Sequence, residues 1–432
     1  MKSTSRYALI IMGFIFFLVA APLLVLYVSG RTFDLSQRDT RATGILDAKS
    51  NPSGATVLID DKDHSSTPAI ARFLTQGEYQ VTIKKDGYYD WQKRLAIQAG
   101  QVTYAQEGVT EVQLIKKSEP KTLVASGVKS FALVKDVIWY ATDHAIVHAP
   151  LSSPDQQTKI ALPFTPTTVA RLRSSNYLLV RNGSSETVAV NTDDNSIFTV
   201  PFGGVVPESS LMAPDGTFFV LTGEILHAYN PQTKAEKIIS SNVVAFTMTG
   251  SNAYFASRDG TISTAAWNGT EMTDSQNLIS GANIVSGENT LIITDRKELF
   301  LKDTKGALWR VNQSLEPVAP SVASVSLDPD TDELTFQTAS ELWFYNFITH
   351  KPQLLTRNSS SKINDLVIRS AIGYGFVGNQ TGLEAIEIDN RDKSNRYVLI
   401  LNKQVWQIAL STNQKTILAL VDDSLVSLEI RN

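Results

Sequence analysis

The chain has 432 residues, of which 43% are hydrophobic and 19% charged, and its formal net charge is −4. This composition supports large buried cores, argues against general disorder, and gives no reason to expect a nucleic-acid partner. Cysteine is absent, which excludes disulfides, thiolate metal sites, cysteine nucleophiles and attachment through a lipid-modified cysteine.

The first predicted element is a transmembrane helix over residues 7–28, a run without any charged residue. About 22 residues at ~1.5 Å each cross a hydrocarbon core of ~30 Å. Lys2 and Arg6 precede the run, so the positive-inside rule predicts a cytoplasmic N-terminus and an extracytoplasmic remainder. The alternative is a signal peptide cleaved at Val28-Ser29-Gly30, although the apolar core of such peptides is usually shorter. We therefore interpret residues 1–30 as a cytoplasmic stub with a single-pass anchor in the lipid bilayer of the cell membrane.

A polar segment follows, and we interpret residues 31–43 as a linker. Residues 44–116 then show short apolar runs separated by turn residues, which predicts a small β-domain. The clearest strand candidates are Ala55–Ile59 and Tyr79–Ile83, with a turn over Asp60–Asp63 between them. Further strands are predicted at Leu95–Ile97 and Val112–Leu114.

The motif Pro52-Ser53-Gly54-Ala55 begins a pattern that continues through Val57–Asp60, Thr67-Pro68, Leu74, Gly77, Tyr79, Val81 and Gly87-Tyr88. This pattern resembles the PEGA domain, over roughly Gly44 to Leu114. Gly54 is expected to provide a bend and Gly77 a turn with positive φ. The resemblance implies a β-sandwich-like module of bacterial or archaeal envelope proteins, without catalytic activity.

A repeat of about 40 residues occupies the rest of the chain, residues 117–432. The repeat is indicated by eight apolar runs that begin on average about 40 residues apart: 137–140, 177–180, 218–221, 253–256, 291–293, 334–336, 374–377 and 417–420. Several runs are followed by a second strand ending in Asn, as at Ile225–Asn230, Ala307–Asn312 and Glu341–Asn346. Asparagine suits a turn because its side chain caps the local backbone.

Repeats of this length predict a β-propeller with four strands per blade. The repeats resemble WD40-like or quinoprotein-like propellers at the level of architecture. The count predicts eight blades, with seven as the alternative because the unit from Leu291 to Val311 is irregular. The last unit, which ends with Leu425–Ile430, lacks an outer strand, and Lys121–Ala125 is predicted to supply it and close the ring. The predicted fold class is therefore all-β, with one N-terminal helix.

No catalytic, cofactor-binding or metal site is predicted from local motifs. The five histidines, at positions 64, 144, 148, 227 and 350, form no helical zinc motif. The acidic run Asp328–Glu333 is interpreted as a solvated turn, with weak calcium binding as the alternative. Five tryptophans fall in strands of separate repeats: Trp139, Trp267, Trp309, Trp343 and Trp406. We expect most to be core residues between blades, and one or two to line the central channel or the top face and stack on sugars.

The functional hypothesis is a membrane-anchored extracytoplasmic envelope protein that binds or scaffolds, without being an enzyme. Its propeller is expected to bind an envelope protein or a glycan. The alternatives are a propeller enzyme acting on envelope polysaccharide, whose residues would come singly from many blades, and an extracytoplasmic sensor.

Overall fold

A computed structural model describes residues 3–28, 31–34, 39–173, 175–183, 186–200, 211–357 and 363–431. The first element is helix α1, Ser3–Val28. Within the described part of the chain, no helix is long and apolar enough to cross a membrane. Lys2, Ser29 and Gly30, which bear on the predicted orientation and cleavage, lie outside the described residues.

Ten short strands follow the helix: β1 Arg31–Asp34, β2 Asp39–Ala48, β3 Ser50–Asn51, β4 Thr56–Ile59, β5 Lys62–Ser66, β6 Ala69–Thr75, β7 Gly77–Lys84, β8 Trp91–Ile97, β9 Val102–Tyr104 and β10 Val112–Gln113. One sheet has β2 between β6 and β1, with β9 pairing β2 in parallel. The second sheet has the order β5-β4-β7-β8. Their inner faces share one core, which includes Leu46, Val57, Val81 and Trp91. The predicted β-sandwich is therefore present, and we name residues 39–116 the N-terminal β-domain.

Two local predictions in this region are wrong. Part of the predicted linker, residues 31–43, is strand, because β1 pairs antiparallel with the start of β2. Gly77 does not have positive φ, because it lies at the start of β7, and the bend between β6 and β7 falls at Gln76. Gly54 does bend the chain as expected, with φ +72°.

Residues 121–429 form eight antiparallel sheets of four strands in the part of the chain that the structure describes. The strands are β11 Lys121–Val124; blade 1, β12 Ser130–Val134, β13 Val137–Thr142, β14 Ala145–Pro150, β15 Thr158–Ala161; blade 2, β16 Thr168–Arg171, β17 Tyr177–Asn182, β18 Glu186–Asn191, β19 Ile197–Thr199; blade 3, β20 Leu211–Met212, β21 Phe218–Thr222, β22 Ile225–Asn230, β23 Ala235–Ser241; blade 4, β24 Val243–Thr249, β25 Asn252–Ser257, β26 Ile262–Trp267, β27 Met272–Ile279. They continue with blade 5, β28 Thr290–Ile293, β29 Leu299–Lys302, β30 Leu308–Val311, β31 Leu315–Ala319; blade 6, β32 Ser324–Leu327, β33 Leu334–Gln337, β34 Glu341–Asn346, β35 Lys351–Arg357; blade 7, β36 Ile363–Arg369, β37 Tyr374–Asn379, β38 Gly382–Glu387, β39 Arg396–Leu401; and blade 8, β40 Val405–Leu410, β41 Thr416–Val421, β42 Ser424–Glu429, with a 3-10 turn at Ser370–Ile372.

Apolar side chains hold neighbouring blades together in a closed ring. Separate buried clusters join blades 1 and 2, 2 and 3, and so on to 7 and 8. One more cluster joins blade 8 to blade 1, through Leu418, Leu425 and Phe131. The ring is therefore a β-propeller, and its core consists of the wedges between blades.

Strand β11 closes the ring as the sequence predicted. It pairs antiparallel with β42, Lys121 opposite Ser427 and Thr122 opposite Val426, and so becomes the outer strand of blade 8. The irregular unit has a structural reason, because the run at Leu291 is the first strand of blade 5, whereas the other seven runs are the second strands of their blades. The connection over residues 280–289 lengthens this unit and shifts its register in the repeat.

Candidate functional site

The N-terminal β-domain packs on one of the two faces of the propeller and leaves the other uncovered by it. In every blade, the connections between strands one and two and between strands three and four lie on one face. The N-terminal β-domain packs on this face, against the β38–β39 connection of blade 7 and the end of blade 8. We call it the domain face, and the opposite one the distal face.

Lys93 fixes the N-terminal β-domain to the propeller. Its Nζ lies 3.1 Å from Glu387 Oε2, and both side chains are 0% exposed. The same Nζ donates to the carbonyls of Asp389 at 2.8 Å, Arg391 at 3.1 Å and Lys393 at 2.9 Å. The β38–β39 connection therefore wraps around a buried ammonium group that belongs to the other domain.

The second half of this junction is the carboxylate of Glu387. Trp91 Nε1 donates to its Oε1 at 2.8 Å, and Asn395 Nδ2 donates to its Oε2 at 2.7 Å. Burial raises the pKa of Glu387, and the charge of Lys93 with the donors from Trp91 and Asn395 opposes that shift. A buried pair with these additional hydrogen bonds fixes orientation more than it adds stability.

Arg391 extends the junction toward the solvent. It donates to Asp389 Oδ2 at 2.6 Å and to the carbonyls of Tyr104 at 3.2 Å and Ala105 at 3.1 Å. Burial favours a higher pKa for Asp389, but the bonds from Arg391 and the Glu107 N–H and the charge of Lys93 lower it overall. Asp389 is therefore held as a carboxylate.

Sequence reasoning missed this junction, although β8 carries a signal. Its residues alternate between buried and exposed, and Lys93 occupies an inward position between Trp91 and Leu95. A lysine at a core-facing position needs acceptors, and here they come from residues about 300 positions later in the chain.

Ion pairs cross the channel at its domain-face end. Blades 2 and 6 lie opposite each other in a ring of eight. Arg173 of blade 2 donates to Asp332 Oδ1 at 2.7 Å and to Asp295 Oδ1 at 2.7 Å, and Arg171 pairs with Asp330. The two arginines therefore bridge the channel to blades 5 and 6.

These pairs correct the interpretation of the acidic run Asp328–Glu333. Its carboxylates are not a solvated turn, because arginines hold Asp330 and Asp332, and Arg369 Nη1 donates to Asp328 Oδ2 at 2.7 Å. Across the described residues, no group of three or more metal-ligating side chains is arranged to hold a metal ion.

Side chains also link the inner strands around the channel. Asp365 Oδ2 accepts from the Ile408 N–H at 2.8 Å, Gln407 Oε1 from Phe131 at 3.0 Å, and Ser130 Oγ from Val169 at 3.0 Å. Inner strands of neighbouring blades do not pair directly, so these side chains satisfy their backbone donors. Burial raises the pKa of Asp365 to about 6, against the effect of the two N–H groups that it accepts from.

The distal face contains a recess of about 400 Å³ beside the channel. Its lining residues come from blades 8, 1 and 2, including Trp406, Lys129, Thr167, Asp422 and Asp423. Trp406 is 47% exposed, although it lies on an innermost strand. Trp406 is therefore exposed on the distal face, whereas Trp139 and Trp267 are buried, and stacking of a tryptophan on a sugar stays a prediction.

The sequence of the N-terminal β-domain matches a family model. The PEGA domain model matches residues 43–111. The chain contains a PEGA domain followed by a β-propeller. Among curated protein sequences, none is detectably similar to the chain.

Comparison with solved structures gives a likeness at the level of the fold. The C-terminal WD40 domain of Sif2 superimposes with a TM-score of 0.52 at 13% identity, covering 72% of this chain and 99% of that one. The computationally designed Ika8 protein gives 0.49 at 12% identity, covering 72% and 100%. The extracellular domain of the putative one component system BT4673 from B. thetaiotaomicron gives 0.41 at 9%, covering 82% and 57%. The likeness to the Sif2 domain shows the fold and nothing beyond it.

Proposed function

We propose that this chain is a membrane-anchored extracytoplasmic protein that holds a protein partner on the distal face of its propeller. The observation that carries the proposal is Trp406, a large aromatic side chain that is half exposed in a recess beside the channel. Exposed aromatic residues in concave sites are typical anchors of protein interfaces. A PEGA domain with a β-propeller suggests a binding or scaffolding role.

The proposed anchor is the apolar run 7–28. Eleven large apolar side chains of α1 are exposed rather than packed on either domain: Ile10, Ile11, Met12, Phe14, Ile15, Phe16, Phe17, Leu18, Val19, Leu24 and Val25. Exposed apolar surface of this extent marks a site of contact with a membrane or another protein. The anchor, with an N-terminus in the cytoplasm, would place the PEGA domain next to the membrane and the distal face away from it.

The alternative of a polysaccharide enzyme has less support. A catalytic funnel needs carboxylates and bases that are free to act on a substrate. The carboxylates of Asp328, Asp330 and Asp332 at the domain-face end of the channel are instead paired with arginines.

Photo-crosslinking in intact cells tests the proposal. A photoreactive phenylalanine at position 406 is compared with one at position 348, because Ile348 is 92% exposed and lies on the domain face. The same protein should be captured from position 406 in repeated experiments, and Trp406→Ala should abolish its co-purification with the full chain. Equal capture from both positions, or co-purification that survives Trp406→Ala, would refute the proposed interface.

A further inference from the structure

Trp406 differs from the other tryptophans in what its indole contacts. Trp91, Trp267, Trp309 and Trp343 each donate their Nε1–H to a carboxylate. Trp139 is buried, has no acceptor for its Nε1–H among the described residues, and stacks on His148. Within the described part of the chain, the Trp406 indole N–H has no such acceptor, and the ring is in no aromatic stack. The exposed part of its ring and its N–H are therefore both available to a ligand.

Three neutral polar side chains of the recess make hydrogen bonds within the propeller. Ser130 Oγ accepts from the Val169 N–H at 3.0 Å, and Gln407 Oε1 accepts from the Phe131 N–H at 3.0 Å. Thr167 Oγ1 donates to the Arg181 carbonyl at 3.2 Å and accepts from Gly183 at 3.0 Å. These three side chains therefore serve the propeller itself, and the aromatic ring and the charged groups characterise the recess.

The charged side chains leave the recess acidic. Asp422 and Asp423 line it, and Lys129 is the one cation in its described lining. Lys129 faces Asp143 at 3.9 Å, outside the recess, so its charge is partly balanced there. Asp423 accepts one hydrogen bond, from the Gly127 N–H at 3.1 Å, whereas Asp422 has no side-chain partner among the described residues.

We propose that the Trp406 recess binds a lysine or arginine side chain from an exposed segment of the protein partner. This inference rests on the proposed function and adds the chemistry of the contact. A cation over the open face of an indole is attracted by the ring quadrupole. Carboxylates beside that face add charge-assisted hydrogen bonds to the same cation. The ring of Trp406 and the carboxylates of Asp422 and Asp423 provide this combination in one recess.

Fluorine NMR tests the inference. The full chain is labelled with 5-fluorotryptophan and studied in detergent micelles. The chain has six tryptophans, and Trp406→Phe assigns the signal of residue 406. The probes are a capped pentapeptide with one central arginine, the same peptide with glutamine at that position, and chitotriose. We expect a saturable shift of the Trp406 signal with the arginine peptide alone, without movement of the other five signals.

Charge variants identify the second part of the site. The double substitution Asp422→Asn and Asp423→Asn should weaken arginine-peptide binding about fivefold, since each exposed carboxylate contributes a modest ion pair. Asp259→Asn is the matched control, because Asp259 lies on the distal face in blade 4, across the ring from blade 8. Its effect on binding should be absent.

Three results would overturn the inference: no saturable shift of the Trp406 signal, an equal shift with the glutamine peptide, or a shift with chitotriose alone, which would indicate a glycan. These results differ from failure of the proposed function. If position 406 captures a partner in cells and the Asp422/Asp423 double variant captures it equally well, only the cationic contact is wrong. If position 406 captures no partner, the proposed function itself is wrong, whatever the peptide titration gives.

Discussion

Replacing Lys93 with methionine should destabilise the junction between the PEGA domain and the propeller. The substitution keeps most of the aliphatic stem and removes the ammonium group. Glu387 would then be a buried carboxylate without a cation, and three carbonyls of the β38–β39 connection would lose their donor. Breaking a buried ion pair on one side costs about 3–5 kcal/mol, because the remaining charge stays desolvated.

Urea denaturation of the full chain in micelles, followed by tryptophan fluorescence, measures this loss. Trp91 reports on the junction directly, because its indole N–H is bonded to Glu387. Arg94→Met is the matched control, since the neighbouring Arg94 is exposed and has only a 4.0 Å approach to Glu78. Its free energy of unfolding should change by less than about 1 kcal/mol.

A second substitution identifies the cause. Glu387→Gln removes the charge but keeps an oxygen acceptor for Trp91, so the Lys93→Met/Glu387→Gln double variant should be more stable than Lys93→Met alone. The reasoning is refuted if Lys93→Met lowers the free energy of unfolding by less than about 1 kcal/mol. It is also refuted if the loss in the double variant equals the sum of the losses for Lys93→Met and Glu387→Gln alone.

Three further predictions concern the channel and the anchor. Because the pKa of Asp365 rises from 3.8 to about 6 on folding, its contribution is fully present below about pH 4 and is lost as the pH rises through 6. Asp365→Asn should therefore remove about 3 kcal/mol of pH-dependent stability between pH 4 and 7, and thermal melts whose pH dependence matches the parent would contradict this. Arg173→Met should destabilise the propeller by about 1–3 kcal/mol, because the buried Asp332 loses its cross-channel partner and keeps only Arg296 as a cation, 3.5 Å away. Arg258→Met, at an exposed pair, is the control in the same melts. In the cysteine-free chain, Ile348→Cys should react with a membrane-impermeant maleimide in cells with a permeabilised outer layer, whereas Ser3→Cys should not; labelling of Ser3→Cys alone would reverse the proposed orientation.

The architecture was predictable because it is repetitive. A strand run at a regular spacing signals a blade wherever it lies, so the period gave eight blades and the unpaired last unit indicated the closing strand. The unit at Leu291 is irregular because a longer connection precedes it, so the run at the expected spacing is the first strand of its blade and not the second, as in the other units. Turn chemistry was predicted well where the side chain acts locally, as at Asn230 and Asn346, whose Oδ1 atoms accept from the following turn.

The sites were less predictable, because they depend on residues far apart in the chain. Arg171 pairs with Asp330, which lies 159 positions later in the chain. Their blades, 2 and 6, face each other across the channel only because the ring has eight blades. The exposure of Trp406 likewise depends on blades that are far apart in the chain, because the recess beside it is lined by residues of blades 8, 1 and 2. Lys93 is the exception, because its inward position in an alternating strand was visible without the structure.

The closing strand has a consequence for how the chain is made. Lys121 of β11 leaves the ribosome long before Ser427 of β42, which lies 306 positions later. Until blade 8 is complete, β11 has no strand to pair with, and the inner strands of blades 1 and 8 cannot meet. Biosynthesis therefore produces an open arc of blades whose two edges stay unpaired until translation ends. A nascent chain held near the membrane by its first residues would expose these edges throughout synthesis, so it should be a preferred substrate for chaperones that bind unpaired strands.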